Sequence, residues 1–227
     1  WFRSADRVLM VMSKFKATTF EELFQGVKNI NWADFLPKGA NFIISGKSLK
    51  STLSSVPACQ KITEKAIVEK LKLTYKNINY FSKSGALYKI KVSLLKDNVT
   101  ITLDTSGTGL HKRGYRENQL AAPLKETLAS ALIDLSYFKK DRILIDPTCG
   151  SGTIPIEAAM IAKNIAPGLM RNFASENWDF IDKSYWKEAK KDAYSKIDTN
   201  CRPEIYASDI DEKAIQIAKG NAKIAGV

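Results

Sequence analysis

The sequence predicts two architectures in one chain: an α+β front portion and, behind it, the opening of a parallel α/β sheet. Three observations predict this. Strand, helix and hairpin patterns succeed one another over about residues 1–107, as in a small α+β domain. From residue 142 the pattern becomes strand, helix, strand, helix, the order of parallel strands joined by crossover helices. The net charge of +11 divides near the same place, with 23 Lys/Arg against 11 Asp/Glu over residues 1–140 and 12 against 13 over 141–227.

The elements follow in order. "RVLMVMSKFKA" (7–17) reads as a buried strand, and "TFEELFQGVKNI" (19–30) as a helix with Phe20, Leu23, Phe24 and Val27 on one stripe and Thr18 or Thr19 as its cap. "NFIISGK" (41–47) is a second strand. "ACQKITEKAIVEKLK" (58–72) is a helix burying Ile62, Ala66, Ile67 and Leu71, with Lys61, Lys65 and Lys72 on its other side. "LYKIKVSLLKDNVTITLDTS" (87–106) is a hairpin, since Tyr88, Ile90, Val92 and Leu94, then Val99, Ile101 and Leu103, alternate with polar residues around "KDN". "GTGLHKRGYREN" (107–118) is a Gly-rich basic connector. "APLKETLASALIDL" (122–135) is a helix with Pro123 in its first turn and Leu124, Leu128, Leu132 and Leu135 as its core face. Strand 142–146, helix 154–164, an aromatic-rich helical insert ending near 197, strand 204–208 and helix 211–225 complete the chain.

Hydrophobic residues at 44% and aromatics at 10% exclude a disordered or fibrous chain. No apolar run approaches the roughly 18 residues of a membrane-spanning helix, and no signal peptide is visible. Cys59, Cys149 and Cys201 are odd in number and widely spaced, so they build neither a zinc site nor a disulfide framework. That fits a reducing cytosol, and a cytoplasmic protein with no metal and no membrane partner is expected. The chain opens at Trp1 and stops at "AKIAGV", which reads as a piece of a longer protein. A basic front portion suggests a polyanion partner, nucleic acid before any other; a solvated basic surface is the alternative.

"ILIDPTCGSGTIPIEAA" (143–159) carries the chemistry: β-forming residues, an Asp, a Gly-Ser-Gly turn and a small-residue helix. A phosphate-binding P-loop requires G-x-x-x-x-G-K-[ST], and this turn has no Lys. "SGKS" (45–48) fails too, because the earlier Gly would fall at Asn41. The dinucleotide fingerprint fails at Pro155, and the first acid ending a following strand, Asp209, lies well beyond the usual roughly 20 residues. S-adenosylmethionine remains. Its ammonium and sulfonium suit Asp146 at a strand tip, Gly150 and Gly152 admit close backbone approach, and Asp209 in "IYASDID" can accept both ribose hydroxyls.

"DPTCGSGTIPIEAAMIAKNIAPG" together with "ASDIDEKAIQIAKGNAKIAGV" resembles the Rossmann-like RNA methyltransferases that carry an N-terminal THUMP domain. The similarity is greatest to the bacterial group related to the large-subunit ribosomal RNA guanine methyltransferases, many of which are labelled N6-adenine-specific methylases. "GLHKRGYR" followed by "APLKETLA" is similar to that group's connector, and "FIISGKSLKSTLSSVPACQKITEKAIVEKL" to its THUMP segment. The resemblance implies four parts: the remainder of a ferredoxin-like domain (1–36), a THUMP RNA-binding domain (37–107), a connector and linking helix (108–140), and the start of a class I methyltransferase domain (141–227). It implies that Asp146, Thr148, Cys149, Gly150, Ser151, Gly152 and Thr153 line the methionine and adenosine side. Asp209 and Ile210 serve the ribose side, and the stretch at Ala122, Pro123 and Leu124 closes over the methionine end. Cys149 is then a small loop residue and not a nucleophile.

The resemblance further implies methylation of a base exocyclic amine in 23S ribosomal RNA through an (N/D)-P-P-(Y/F) loop that grips a flipped base. No Pro-Pro occurs in the sequence, and two parallel strands are too few for an independent sheet. Residues 1–227 are therefore expected to hold part of a cofactor site without turning over. For RNA, the candidates are Lys112, Arg113, Tyr115 and Arg116 of the connector, with Tyr115 stacking on an unpaired base, and Lys47, Lys50, Lys61 and Lys65 near the helix start at Ser54–Val56. Arg113 and Arg116 have an alternative role, bracing the joint against carboxylates. His111, with no triad or metal partner, reads as structural. Two other functions compete: a DNA adenine methylase, and a non-catalytic RNA-binding protein with a vestigial methyltransferase fold.

Overall fold

Hydrophobic alternation sets the first sheet, and a tight turn fixes the register of its central hairpin. The computed structural model describes residues 1–76, 85–116 and 123–227, which fall into two units. One comprises Arg7–Gly107 with Phe173–Asp182; the other comprises Trp1–Asp6, Thr108–Asn172 and Lys183–Val227. Among the described residues no helix is long and apolar enough to cross a membrane.

The first unit runs β1 (Leu9–Lys16), α1 (Phe20–Lys28), β2 (Asn41–Leu49), α2 (Val56–Thr74), β3 (Leu87–Leu95) and β4 (Asn98–Asp104). Its strand order is β1-β4-β3-β2, with β2 and β3 parallel and the other neighbours antiparallel. Lys96 and Asp97 turn β3 into β4 with both φ angles positive (49° and 61°), the geometry whose twist suits a two-residue hairpin. The Asp97 carboxylate holds it by accepting the Thr52 backbone N–H at 2.6 Å. Tyr88, Ile90, Val92 and Leu94 of β3 and Val99, Ile101 and Leu103 of β4 are all buried, in one core with Leu23 and Val27 of α1 and Ala66, Ile67 and Leu71 of α2. Thr19 caps α1 in a reciprocal capping box with Glu22. β1 and α1, assigned from the resemblance to the end of a preceding domain, share this sheet and core with residues 41–104.

Part of the unit's core arrives from far along the sequence. The insert expected to be helical up to residue 197 is helical only at α5 (Lys183–Ser195), after a 3-10 turn at Ala174–Asn177. Between them Trp178 is fully buried, stacked on Tyr88 (ring centroids 5.3 Å apart, 15° between planes) and on Phe180 (5.5 Å). Aromatic residues without helical periodicity fill a core here, and that is why the helical expectation fails.

The second unit contains α3 (Glu126–Leu135), β5 (Leu144–Asp146), α4 (Thr153–Ala162), α5, β6 (Ile205–Ala207) and α6 (Glu212–Ala225). β5 and β6 pair in parallel, Asp146 opposite Ala207. Two expectations for α3 need correction. It starts at Glu126, so Pro123 precedes the helix instead of sitting in its first turn, and Ala122 lies outside the described residues. The described residues do not cover its leucine face: Leu128, Leu132 and Leu135 are exposed, whereas Glu126, Thr127, Ala129, Ser130 and Ile133 are buried. The buried face meets a polar cluster on α4, which hydropathy alone cannot anticipate.

Candidate cofactor site

β5 delivers Asp146 to a strand tip, and the chain then makes the Gly-Ser-Gly turn into α4. Gly150 and Gly152 take positive φ (54° and 82°), which L side chains adopt at a cost. A Cβ on Gly152 would also lie 3.0 Å from the Ala218 Cβ and 3.2 Å from Ile156 Cδ1. The turn therefore presses against α6, where Ala214, Asn221 and Ala225 are buried. Asn221 Nδ2 donates to the Ser151 carbonyl at 3.1 Å, locking the loop. Sequence reasoning misses that role, although a lone Asn on a stripe of alanines is a visible anomaly.

The second strand locks the same loop. The Cys149 N–H donates to the Ser208 carbonyl and the Ser208 N–H to the Asp146 carbonyl, each at 2.9 Å. Asp209 Oδ2 accepts the Gly150 N–H at 2.8 Å, and Oδ1 accepts the Asp211 N–H at 3.0 Å. Those backbone N–H groups, Asp211's first, hold the Asp209 carboxyl below the usual aspartate value, so it is an anion at neutral pH. Asp146 Oδ1 accepts the Thr148 N–H at 3.2 Å. Burial, then the Asp146 and Asp209 charges, push the Cys149 thiol up, away from nucleophilic thiolate.

The nine expected cofactor residues thus divide. Asp146, Gly150 and Asp209 gather at one lip, with Thr148 and Ile210 exposed beside it. Ile210, entirely exposed, offers an apolar surface next to an ionised carboxylate. Cys149, Ser151, Gly152 and Thr153 are buried and shape the loop from beneath. An ionised acceptor and a second carboxylate beside a glycine-flanked bend fit a cationic nucleoside with a ribose diol.

The connector departs from its expected role. Arg113, Tyr115 and Arg116 are expected to touch RNA, and the structure turns all three inward. Arg113 and Tyr115 are 1% and 0% exposed. Arg113 Nε lies 3.4 Å from Glu157 Oε1 on α4, and its guanidinium also donates to the carbonyls of Leu110 (2.9 Å) and Arg3. The Tyr115 hydroxyl donates to Glu157 Oε1 at 3.2 Å, and the Ser130 hydroxyl to Oε2 at 2.6 Å. Burial, and then the Glu157 charge, push the Tyr115 hydroxyl pKa far up. A ring so enclosed has no face for a base. Gly114 makes the inward turn possible: φ is 107°, and a Cβ there would meet the Met170 carbonyl oxygen at 2.1 Å. Only Lys112 of the four remains exposed.

The other lysines are not one cluster. Gly46 faces α2, where a Cβ would meet Val56 and Gln60, so its neighbour Lys47 projects from the opposite sheet face. Lys61 and Lys65 lie exposed on α2, Lys65 4.0 Å from Glu69. Lys50 follows β2 in a left-handed conformation (φ 50°).

Comparison with known proteins matches two family models along the chain. A family model described as "RMKL-like, methyltransferase domain" matches residues 113–227, and a THUMP domain model matches residues 17–104. A Bacillus subtilis (strain 168) protein named "Putative RNA methyltransferase YpsC" is 54% identical over 228 residues, covering 100% of this chain and 59% of that protein. The crystal structure of "a predicted N6-adenine-specific DNA methylase from Listeria monocytogenes str. 4b F2365" superposes with a TM-score of 0.96 at 52% identity, over 100% of this chain and 60% of that one. SMU.472, "a putative methyltransferase complexed with SAH", gives 0.93 at 44% identity over 100% and 60%. The chain spans about three-fifths of the length of these relatives.

Proposed function

The chain belongs to the RMKL-like methyltransferase family, and from that premise we propose that it serves an S-adenosylmethionine-dependent RNA methyltransferase of the cytoplasm. One observation carries the cofactor half of this reading: two carboxylates, Asp146 and Asp209, stand at the ends of neighbouring parallel strands on either side of a glycine-flanked bend. When bound, the cofactor supplies a methyl group activated on a sulfonium. Asp209, already anionic, accepts the ribose hydroxyls with Ile210 beside it; Asp146 accepts from the ammonium, and the buried loop residues hold these groups in register. Methyl transfer is an in-line displacement, so the protein's contribution is chiefly positioning. The complex of SMU.472 with SAH supports this cofactor.

RNA as substrate is supported by the THUMP domain, the basic front portion and the name of the B. subtilis relative. Within the reading, Lys47, Lys50, Lys61, Lys65 and Lys112 contact phosphates, and the target is a base exocyclic amine of 23S ribosomal RNA. Residues 1–227, which contain no Pro-Pro, bind cofactor weakly and do not turn over by themselves. DNA is the second reading, since the Listeria relative is named as a DNA methylase. The deciding experiment incubates the full-length protein with labelled S-adenosylmethionine and, separately, ribosomal RNA and duplex DNA. Label in RNA, lost in Asp209→Ala and absent with residues 1–227 alone, is the expected result; label in DNA only overturns the RNA assignment.

A further inference from the structure

Arg116 reaches the cofactor loop from outside it. Its Nη2 donates to the Thr153 hydroxyl at 2.5 Å and to the Leu124 carbonyl at 3.2 Å. Its Nε lies 3.4 Å from Glu126 Oε1, as an ion pair without hydrogen-bond geometry. Both side chains of that pair are under a tenth exposed. Thr153 opens α4 directly after Gly152, Leu124 precedes α3, and Glu126 opens α3. One guanidinium thus joins the connector, the entry to α3 and the first turn after the Gly-Ser-Gly bend. We propose that Arg116 is a positioning residue for the methyl-donor site, a clamp that holds the α4 first turn, and with it the bend, in its binding geometry. The inference rests on the cofactor reading above.

The physical case is one of competing geometry. Gly150 and Gly152 sit in left-handed conformations that glycine does not itself prefer over the alternatives. Something outside the bend must select them. Asp209 holds the Gly150 end and Asn221 the Ser151 carbonyl, but the Thr153 hydroxyl caps nothing in its own helix and is taken by Arg116. Arg is needed because a planar fork spans several acceptors at once, which the point charge of Lys cannot do. Burial pushes the Glu126 carboxyl up, and the Arg116 charge opposes that shift, so the pair is retained although desolvation disfavours it.

The test uses Arg116→Ala, Thr153→Val, Thr153→Ser and the Arg116→Ala/Thr153→Val double variant in the full-length protein. Two readouts are taken: the dissociation constant of S-adenosylhomocysteine by calorimetry, and amide hydrogen exchange of the Gly152–Ile156 peptide without ligand. Arg116→Ala and Thr153→Val should each weaken binding roughly tenfold, a hydrogen bond to a charged group being worth about one such decade. The double variant should be no weaker than either single, and Thr153→Ser, which keeps the hydroxyl, should stay within about twofold of wild type. Exchange should quicken in the same variants and not in Thr153→Ser. Losses that add in the double variant, or binding and exchange within about twofold of wild type in both singles, overturn the clamp. If Arg116→Ala does not fold, Thr153→Val against Thr153→Ser decides. If the wild type binds no S-adenosylhomocysteine, the cofactor reading falls, and the exchange data alone decide the clamp.

Discussion

Trp178 lies far in sequence from the strands it packs on, and its removal gives the sharpest test of the first unit's core. The side chain is 0% exposed, sandwiched between Tyr88 and Phe180, with Phe180 in turn edge-on to Phe35 at 5.3 Å. Its indole N–H reaches the Leu87 carbonyl at 3.5 Å. Truncating a buried Trp or Phe to Ala costs about 3–5 kcal/mol, more where the site cannot collapse. Collapse is hindered here, because Tyr88 is anchored on a central strand and each aromatic pair adds roughly 0.5–1.5 kcal/mol of its own. Trp178→Ala should therefore lose stability near the upper end of that range, while Trp178→Phe, which keeps a stacked ring, should lose about half as much. Urea unfolding of the full-length protein, followed by exchange of peptides from α2 and from α6, locates the loss. Protection should fall in α2 and hold in α6. A loss below about 1 kcal/mol, or one confined to α6, would refute the assignment of Phe173–Asp182 to the first unit's core.

Three other outcomes follow from the same structure. Glu157→Ala strands the buried Arg113 guanidinium and should cost about 3–5 kcal/mol by chemical denaturation, as breaking one side of a buried pair does. The Asp209 carboxyl is held below its unfolded value, so its contribution is present above about pH 4 and is lost as pH falls through the depressed folded value. Thermal melts should accordingly show wild type and Asp209→Asn separated at neutral pH and converging below about pH 4, and a gap that widens on acidification contradicts the hydrogen-bonded anion. Replacing Lys47, Lys50 and Lys65 by Gln together should weaken RNA binding and flatten its salt dependence in filter-binding titrations. Because Lys47 projects from the sheet face away from α2, losses in both Lys47→Gln and Lys65→Gln singly mean a footprint that reaches both faces, and a loss in one alone removes the other from the phosphate contacts.

Much of the fold is legible in the sequence because period and turn chemistry agree. Tyr88, Ile90, Val92 and Leu94 alternate and are buried in alternation, and the Lys96–Asp97 turn falls between the two strands it joins. The strand–Asp–Gly-Ser-Gly–helix order is legible for a different reason: few residues tolerate that backbone, so the spacing itself encodes the bend. What misleads is hydropathy read without partners. Leu128, Leu132 and Leu135 form a good helical stripe, yet α3 buries Ser130 and Glu126, because what they face on α4 and the connector is charged. The basic "HKRGYR" run reads as surface for the converse reason. Nothing local announces that Glu157, over forty residues away, will draw Arg113 inside.

A saturation criterion separates the groups that brace from those that bind. Glu157 accepts from Arg113 twice, from Tyr115 and from Ser130, all side chains and all buried. A carboxylate has about four lone-pair sites, so none is left for a ligand. Among the described residues, Asp146 accepts from the backbone N–H of Thr148, and Asp209 from those of Asp211 and, across the strand pair, Gly150. Those bonds take one acceptor site of Asp146 and two of Asp209, fewer than the about four a carboxylate has. The same contrast separates Arg113, whose guanidinium meets the unit's own carbonyls and the Glu157 carboxylate, from Lys112, which stays exposed one residue earlier. A motif rich in charge therefore contains two populations, and side-chain saturation, more than charge or spacing, decides which of them can meet a ligand.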